Sequence, residues 1–467
     1  MTEIHRIHPR LFGTSGIRGL PDRLTPPFVK KAGVVFASFL GNSGTVLVGR
    51  DVRLNSPAIS ASIIEGLREG GLNVLDCGLT PTPALLFAVK RFSASAAVMV
   101  TGSHTPPPIN GLLFFLSDTG EMSPREEEKF EAIFSTGVST LPKIKWGSLK
   151  KASIIDDYLA DVKRFLPRTN GVKVVVDPGN GAACSTLAAV LKNMGCEVVA
   201  INNKPDGRFR SRLPEPGPET LGALSVAVRK HKADLGVGAD GDGDRAIFVT
   251  SRGRVLYGDK TGAIFADREL KANNGGRLVV PVNTSNMMAV LCKKHGGTVT
   301  VTRIGPPAMA EAMRSNPDTV FATEESGKYI WPHIIRYSDA AVAAGKLVRI
   351  MQTEHKSLET LEKQLPRLHQ RKYDTKCSDS AKDNAMNYIV AELKSLGKGE
   401  ISTLDGVRVD YPDDSWLLVR PSGTEPMLRC NVEDANPARA SRKIKSIASI
   451  MNTAVSKAEQ RPPAKQS

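Results

Sequence analysis

One pattern constrains the fold more than any other: a strand, a polar loop, an amphipathic helix, a glycine stop and a second strand recur three times. The copies begin at Gly44, Val172 and Gly276, and the first reads GTVLVGRDVRLNSPAISASIIEGLREGGLNVLDCG. In each copy, Ala and Leu recur at helical spacing, glycine ends the helix and a β-branched strand follows. A spacing of about a hundred residues or slightly more is too long for a solenoid. We therefore predict three similar α/β domains, each built from right-handed crossovers around a mostly parallel sheet.

Four apolar strands end in polar loops that carry candidate functional groups. The loops are TGSH from Thr101, ADGDGDR from Ala239, TEESGKYIW from Thr323 and RPSGTEP from Arg420. The last loop follows a charged helical segment whose pattern is unlike the three repeats. Because ligands bind beyond the carboxyl ends of strands in open α/β sheets, we expect the four loops to share a central cleft.

The first loop holds a hydroxyl and an imidazole where a strand stops. Residues 96–100 form a short apolar run typical of a buried strand, and three prolines at 106–108 cannot continue a sheet. Ser103 and His104 lie between them. Serine is a weak nucleophile unless a neighbouring group assists it, so this loop alone fits a surface connection equally well.

The second loop places Asp240, Asp242 and Asp244 two residues apart. That spacing puts three carboxylates on one side of an extended segment, and the intervening glycines let the backbone wrap closely. Hard oxygen ligands favour magnesium or calcium, and an EF-hand is excluded because its glycine and glutamate positions hold other residues. We predict a magnesium site, with a solvated acidic turn as the alternative. Arg245 would steady the charge of a phosphoryl group transferred at Ser103.

Three further segments carry groups suited to anions and sugars, with plain hairpins or tight turns as the alternative. An arginine fork, hydroxyls and inward-turned backbone N–H groups can bind phosphate. The residues that supply them are Arg420, Ser422, Gly423 and Thr424. The residues suited to sugar hydroxyls are Glu324 and Ser326. A further anion contact near the N-terminus is offered by Thr14, Ser15 and Arg18.

The composition narrows the class of partner. The 467 residues carry a net charge of +15, which suits an anionic ligand. Aromatic residues make up only 5%, and no basic run is interleaved with them as a stacking surface requires. We therefore predict a phosphorylated small molecule as the ligand and no nucleic acid. No apolar run is long enough to span a bilayer and the N-terminus lacks the apolar core of a signal peptide, so we expect a cytoplasmic protein without membrane contact. The six cysteines lie far apart, which predicts reduced and mostly buried thiols. The sequence is compatible with a homo-oligomer.

In this order, the segments FGTSGIRG, TGSHTPPPINGLLFF, GADGDGDR, TEESGKYIW and RPSGTEPMLR resemble the α-D-phosphohexomutase superfamily, and the likeness covers essentially the whole chain. The resemblance implies an α/β protein with three similar mixed α/β domains and a distinct α+β C-terminal domain around a central cleft. We place the domains at residues 1–150, 151–252, 253–365 and 366–467. They would carry, in turn, the phosphoserine, metal-binding, sugar-binding and phosphate-binding loops.

The resemblance also implies an activity and a role for each candidate. Family members interconvert hexose 1-phosphate and hexose 6-phosphate through a phosphoserine, Mg²⁺ and a hexose 1,6-bisphosphate, which also serves as activator. The implied metal ligands are Ser103, Asp240, Asp242 and Asp244. The implied catalytic residues are Ser103, Arg18, His104, Lys328 and Arg245. The implied substrate-binding residues are Thr14, Arg303, Glu324, Ser326, Arg420, Ser422, Gly423, Thr424 and Arg429.

Positions in two loops depart from the family pattern and affect the choice of proton carrier. Thr105 stands where asparagine is usual, Leu113 replaces a usual lysine, and Lys328 stands where histidine is often found. We predict that Lys328 is the general base, with a pKa lowered by neighbouring cations and with Arg18 assisting, while His104 orients the serine loop. The alternative is a lysine that simply pairs with phosphate or with a neighbouring glutamate.

Three functions compete with a mutase of mannose or glucose phosphates. Phosphoglucosamine mutase differs only in the sugar. A magnesium-dependent sugar phosphatase would lose the phosphate of the same serine to water. A non-enzymatic binding protein, for instance for nucleic acid, would account for the charge of +15. The last is disfavoured because a binding module has no need of three carboxylates beside a nucleophile.

Overall fold

The computed structural model describes residues 11–136, 145–169, 171–422 and 425–460. The chain divides into two compact units. The first comprises Met1–Phe265 and Pro306–Gln364, and the second comprises Ala266–Gly305 and Leu365–Ser467. All six cysteines are free thiols and five of them are buried, as the sequence predicts. Within the described ranges, no helix has both the length and the apolarity that crossing a membrane requires.

The first unit begins with a six-stranded sheet. Its strands are β1 (Ile17–Gly19), β2 (Thr45–Arg50), β3 (Asn73–Leu79), β4 (Ala96–Val100), β5 (Asn110–Leu116) and β6 (Leu149–Lys151). In the order β1-β5-β4-β2-β3-β6, β2 runs parallel to β3 and β4, whereas β5 is antiparallel to β4 and β1. The helices of this part are α1 (Pro26–Phe39), α2 (Ser56–Glu69), α3 (Thr82–Arg91) and α4 (Pro124–Thr136). Every residue of β4 is buried, as its continuous apolar run predicts.

A five-stranded sheet follows in the same unit. Its strands are β7 (Lys173–Asp177), β8 (Glu197–Ala200), β9 (Leu235–Ala239), β10 (Ala246–Thr250) and β11 (Val255–Leu256). Their order is β11-β10-β9-β7-β8, with β7 parallel to β8 and β9 and with β10 antiparallel to β9. The helices of this part are α5 (Ile155–Val162), a short 3₁₀ helix (Ala182–Ser185), α6 (Leu187–Met194) and α7 (Gly222–Lys230).

The chain then passes through the second unit and returns. Helix α8 (Gly258–Ala272) leads into a parallel pair of strands, β12 (Arg277–Pro281) and β13 (Thr298–Thr302), joined by α9 (Met287–His295). Back in the first unit, β14 (Thr319–Glu324) and β15 (Lys328–Ile330) form an antiparallel hairpin. The helices around this hairpin in the sequence are α10 (Pro306–Ser315), α11 (Ala340–Glu354) and α12 (Leu358–Lys363).

The C-terminal part of the second unit is an antiparallel sheet with two long helices. Its strands are β16 (His369–Lys376), β17 (Glu400–Ser402), β18 (Val407–Asp410), β19 (Trp416–Pro421) and β20 (Met427–Asp434). Their order is β16-β20-β19-β18-β17. Helices α13 (Lys382–Ser395) and α14 (Pro437–Glu459) share one apolar core with this sheet. The predicted α+β character of the C-terminal domain is confirmed.

The three repeats take the predicted form. Each gives a strand, a helix and a second strand that pairs in parallel with the first: β2 with β3, β7 with β8 and β12 with β13. Gly195 and Gly296 follow α6 and α9 with φ of 95° and 70°, a backbone conformation that favours glycine. In the second and third repeats, glycine therefore ends the helix for the predicted reason. In the first, Gly70 follows α2 with a φ of −76°, and the positive φ of 93° falls on Gly71.

Candidate active site

Strand β4 delivers Ser103 to a buried position beside the aspartate loop. The residue has a φ of 50° and is only 2% exposed. Its backbone N–H donates to Thr101 Oγ1 at 2.7 Å, and its Oγ donates to Asp240 Oδ2 at 2.8 Å. Ser103 is thus no surface residue, and its hydroxyl is already directed at a carboxylate of the predicted metal site.

The aspartate loop between β9 and β10 is a tight turn, so the prediction of an extended segment is wrong. Gly243 has a φ of 80°, and Asp240 Oδ1 accepts the backbone N–H groups of Gly243, Asp244 and Arg245, each at 3.1 Å. One carboxylate thereby closes the turn by satisfying donors that the reversing backbone cannot bond to a strand. Convergence of the three aspartates holds nevertheless: a ligand atom of each lies within 4.8 Å of the others.

The three carboxylates are buried, and two of them keep an oxygen without a hydrogen-bond donor in the described part of the chain. Oδ1 of Asp242 and Oδ1 of Asp244 have no hydrogen-bond partner among the described residues. Burial and the charges of Asp244 and Asp240 raise the pKa of Asp242 well above its ordinary value. Buried unpaired carboxylate oxygens are costly unless a cation neutralises them, and an all-oxygen donor set suits Mg²⁺. The residues present therefore fit a magnesium ion.

Lys328 begins β15 and is bonded to this loop. Its Nζ donates to Asp244 Oδ2, lies 3.3 Å from Tyr337 Oη and 4.6 Å from the centre of the Tyr337 ring. The prediction that neighbouring cations lower the pKa of Lys328 is wrong. Burial is the largest single effect and favours the neutral amine, and Arg245 acts in the same direction. The charges of Asp244 and of the other nearby carboxylates together outweigh both and raise the pKa above the ordinary value. Lys328 is therefore a buried ammonium group that forms an ion pair with Asp244.

His104 joins the serine loop to Arg245. Its Nδ1 lies 2.9 Å from Arg245 Nη2 and 3.4 Å from Ser103 Oγ. Burial and the charge of Arg245 hold the pKa of His104 well below its usual value, so the ring is neutral. Since a guanidinium only donates, Nδ1 is the acceptor and the ring proton is on Nε2. Arg245 also donates to Glu215 Oε1 at 3.2 Å.

The N-terminal loop enters the same unit through β1. Arg18 pairs with Gly111 across β1 and β5, and a Cβ on Gly111 would lie 2.7 Å from Arg18 Cγ. The glycine of the Asn-Gly pair that follows the prolines therefore leaves room for the Arg18 side chain. Thr14 is exposed, whereas Ser15 is buried and donates to Glu121 Oε1 at 2.8 Å. Burial raises the pKa of Glu121 to about 7.

The predicted sugar loop is the turn of the β14–β15 hairpin. Glu324 is the last residue of β14 and is 7% exposed, and its Oε1 accepts a hydrogen bond from Ser326 Oγ. Gly327, with a φ of 90°, completes the turn before Lys328. The same hairpin therefore presents the two candidate sugar ligands and the lysine that contacts Asp244.

The predicted phosphate loop belongs to the second unit, between β19 and β20; Gly423 and Thr424 lie outside the described residues. Ser422 is buried, and Lys382 Nζ donates to the carbonyl oxygens of Ser422 and Glu425 at 2.7 and 2.8 Å. Arg420 Nε lies 3.6 Å from Asp405 Oδ1. Lys382 and Asp405, which the sequence analysis did not select, therefore contact this loop.

The other two predicted substrate ligands of the second unit are exposed. Arg303 Nε donates to the Leu404 carbonyl at 3.0 Å, and Arg429 forms an ion pair with Glu425. Their remaining guanidinium donors are accessible to an anion, which is what a phosphate contact requires.

Family models for the phosphoglucomutase/phosphomannomutase proteins match nearly the whole chain. Those for alpha/beta/alpha domains I, II and III match residues 9–140, 156–253 and 257–368, and the model for the C-terminal domain matches residues 375–449. The chain belongs to the phosphoglucomutase/phosphomannomutase family. The resemblance inferred from the five segments is confirmed, and so is the four-domain α/β architecture.

Two similar relatives of this family member have names that refer to different substrates. It is 36% identical over 444 residues to a phosphoglucomutase/phosphomannomutase of Thermococcus kodakarensis, covering 92% of this chain and 96% of the relative. It is 37% identical over 439 residues to a probable phosphoglucosamine mutase of Methanopyrus kandleri, covering 92% and 95%. A solved family protein from Burkholderia thailandensis superposes with a TM-score of 0.85 at 26% identity, covering 95% and 97%.

Within this phosphoglucomutase/phosphomannomutase fold, the first unit brings most predicted catalytic residues into direct contact: Ser103 with Asp240 and His104, His104 with Arg245, and Lys328 with Asp244. Arg18 has no hydrogen bond from its buried Nε to any described residue. The residues that sequence reasoning missed are Arg53, Glu121, Tyr337, Lys382, Asp405 and Thr82, whose Oγ1 donates to Asp242 Oδ2 at 2.5 Å. Most had no signal, but Arg53 stands three residues after the end of the first repeated strand and two residues after Asp51. Ligands bind beyond the carboxyl ends of such strands, so this position could have been selected.

Proposed function

We propose that this protein interconverts hexose 1-phosphate and hexose 6-phosphate, with mannose or glucose phosphates as substrates. One observation carries the proposal: Ser103 Oγ lies 2.8 Å from Asp240 Oδ2, beside three buried carboxylates that could hold a metal ion. The setting is a family whose members are named for this reaction. A hydroxyl so placed is suited to hold a phosphoryl group beside a metal.

Ser103 acts as the phosphoryl carrier in both half-reactions. A sugar hydroxyl oxygen attacks the phosphorus of phosphorylated Ser103, the bond between phosphorus and Oγ breaks, and the sugar proton ends on the serine oxygen. The hexose 1,6-bisphosphate then turns around, and its other phosphoryl group moves to Ser103 Oγ. The added bisphosphate acts as activator because it rephosphorylates an enzyme that has lost the group.

Asp240, Asp242 and Asp244, with an oxygen on Ser103, would hold the Mg²⁺. When bound, the ion supplies positive charge that polarises the phosphoryl group. The protein adds positive charge of its own. Arg245 donates to His104, which lies beside Ser103, and Arg18 contributes a second guanidinium from β1. Such fixed cations stabilise charge that grows during phosphoryl transfer.

Lys328 is the proposed proton carrier. Its ammonium group is buried against Asp244, so it first serves as a cation and a proton donor. It can act as a base toward the sugar hydroxyl only after it has passed a proton to a leaving oxygen. His104, neutral and bonded to Arg245, orients the serine loop. Leu113, which stands at the usual lysine position, is buried and takes no part.

The remaining candidates bind the part of the substrate that does not react. Charge-assisted hydrogen bonds to phosphate and hydroxyl hydrogen bonds to the sugar are the chemistry that these side chains offer. The proposed phosphate ligands are Arg303, Arg420, Ser422, Gly423, Thr424 and Arg429, with Thr14 as a further contact. The proposed sugar ligands are Glu324 and Ser326.

A phosphoglucosamine mutase is the second candidate, because the Methanopyrus kandleri relative carries that name. An assay of purified protein with Mg²⁺, a trace of hexose 1,6-bisphosphate and each 1-phosphate of glucose, mannose and glucosamine decides between them. We expect 6-phosphate from mannose or glucose 1-phosphate and none from the variant Ser103→Ala. Turnover of glucosamine 1-phosphate alone would establish the second candidate, and release of free phosphate without 6-phosphate would overturn both.

A further inference from the structure

A buried arginine behind the serine loop bonds to three of its carbonyl groups. Arg53 is 1% exposed; its Nη2 donates to the carbonyl oxygens of Ser103 at 2.8 Å and Thr105 at 2.7 Å, and its Nη1 donates to that of Pro106 at 2.8 Å. Its Nε donates to Asp51 Oδ2 at 3.0 Å. Every side-chain nitrogen of Arg53 is therefore engaged, and three of the four bonds go to the loop that carries the nucleophile.

Asp51 links the other side of Ser103 to the same arginine. Thr101 Oγ1 accepts the N–H of Ser103 and donates to Asp51 Oδ2 at 2.8 Å. Arg53 and Thr101, both bonded to Asp51, thus hold the carbonyl and the amide of Ser103 respectively. Ser103 has the left-handed φ of 50°, which a residue other than glycine adopts at a cost. The hydrogen bonds to its carbonyl and to its amide fix the backbone, which in turn sets the direction of the Ser103 side chain.

The space around the guanidinium leaves little freedom. A Cβ on Gly102 would lie 2.5 Å from Arg53 Cζ, so only glycine fits at that position. The ring of Phe209 covers the guanidinium, with its centre 5.2 Å from Cζ. Four of the five N–H donors of this covered guanidinium are bonded to protein. Its position therefore constrains its partners, since these buried hydrogen bonds cannot be exchanged for bonds to water.

A second arginine, Arg212, bonds to an aspartate and to a loop carbonyl in the same way next to the aspartate loop. Arg212 Nε donates to Asp177 Oδ2 at 3.1 Å, and its Nη2 donates to the carbonyl of Ala239, the residue before Asp240, at 2.6 Å. Asp177 ends the first strand of the second repeat, as Asp51 follows the first strand of the first repeat. The recurrence ties the aspartate–arginine pair to the loops that carry chemistry.

We propose that Arg53 is a positioning residue that sets the orientation of the Ser103 hydroxyl for phosphoryl transfer. This inference rests on the proposed function. It predicts that loss of the Arg53 hydrogen bonds slows phosphoryl transfer to and from Ser103. Sugar-phosphate binding should be kept, because Arg53 is buried and each of its side-chain nitrogens is already bonded to protein.

The test compares Arg53→Met and Arg53→Lys with the wild-type protein. The rate of Ser103 phosphorylation is followed by rapid quench and intact mass at saturating glucose or mannose 1,6-bisphosphate with Mg²⁺, beside KM for the 1-phosphate and the melting temperature. We expect phosphorylation to slow about a hundredfold in Arg53→Met and about tenfold in Arg53→Lys, the size of effect expected when reacting groups are misplaced by ~1 Å. KM should stay within about twofold, since uniform binding is unchanged.

Arg408→Met is the matched control, because Arg408 is a buried arginine of the second unit that pairs with Asp410 and bonds to the Val282 carbonyl. It should lower the melting temperature and leave the phosphorylation rate unchanged. If Arg53→Met does not fold, Arg53→Lys decides: a wild-type rate in that variant overturns the inference. A wild-type protein that never gains a phosphoryl group contradicts the proposed function instead, so the two failures are distinguishable.

Discussion

At the scale of single residues, the site depends on charges that are buried in pairs. Lys328 pairs with Asp244, Arg53 with Asp51, and Asp242 keeps an oxygen for which no described residue offers a donor. Breaking a buried pair is costly because the remaining charge is left uncompensated. Single substitutions here should therefore separate chemistry from binding more sharply than substitutions at the exposed arginines.

Substitution of Lys328 tests the proposed proton carrier. We expect Lys328→Met to lower turnover roughly 10²–10⁴-fold, the usual contribution of a positioned acid or base, with a much smaller change in KM. Steady-state kinetics across pH measure both constants, and Lys346→Met, another lysine of the same unit, serves as control. If turnover holds and only affinity falls, Lys328 is a phosphate contact and another group moves the proton.

Glu121 should give the protein a pH-dependent stability near neutrality. Its pKa is raised from 4.5 to about 7, chiefly by burial. A raised carboxyl pKa contributes stability that is complete below the unfolded value of 4.5 and is lost as pH rises through about 7. Above that pH the wild-type protein must bury the charge, at a cost of up to about 3 kcal/mol.

The measurement for Glu121 is the melting temperature of Glu121→Gln relative to wild type between about pH 5 and about pH 8, a range that includes the raised pKa of about 7. We expect the variant to gain on the wild type as pH rises, because Gln stays neutral. The exposed Glu219 offers the control variant Glu219→Gln, for which the difference should stay flat. A flat difference for Glu121→Gln as well would show that this carboxyl does not titrate in the range.

At the scale of elements, the sequence predicts strands and their ends far better than the path of the loops. The continuous apolar run of β4 and the glycine stops after the repeated helices led to the observed elements, because both are local signals. The path of the aspartate loop differs from the prediction of an extended segment. A spacing of two fits a strand, whereas the hydrogen bonds that Asp240 Oδ1 accepts depend on a turn at Gly243. Arg53 lies 50 residues from Ser103 in the sequence, and no local pattern joins the two.

The turn of the aspartate loop makes a prediction of its own. Gly243→Ala forces a Cβ onto a residue with a φ of 80° and places it 3.0 Å from the Ala183 Cβ. We expect the free energy of unfolding to fall by about 1–2 kcal/mol and magnesium to bind more weakly. Chemical denaturation and calorimetric titration with Mg²⁺ measure the two effects. Gly217→Ala, where a Cβ meets nothing within 4 Å, should change neither, and an equal loss in both variants would contradict the account.

At the scale of the whole molecule, the order of the loops identified the family, whereas the preferred sugar stays a proposal. The five quoted segments span all four domains, so their combination is specific even where each alone is a plain turn. Glucose, mannose and glucosamine phosphates differ by single groups, and the two candidate sugar ligands, Glu324 and Ser326, can bond to hydroxyl or amine alike. The net charge of +15 agrees with a phosphorylated substrate but does not choose among sugars.

The phosphate loop of the second unit should govern affinity. We expect Arg420→Ala to raise KM for the hexose phosphate roughly tenfold to a hundredfold, because a charge-assisted hydrogen bond contributes about 1.5–3 kcal/mol. Turnover at saturation should change less. Initial-rate kinetics measure both, and Arg442→Ala, an exposed arginine on α14, provides the control. An unchanged KM would count against the phosphate role of Arg420.

The central claim is that Ser103 carries the phosphoryl group, and one measurement tests it most directly. The purified protein is incubated with hexose 1,6-bisphosphate and Mg²⁺, and its intact mass and peptide masses are determined. The account predicts one added phosphoryl group, located on Ser103 and absent from the Ser103→Ala variant. A phosphoryl group on another residue, or none at all while hexose phosphates are still interconverted, would contradict it.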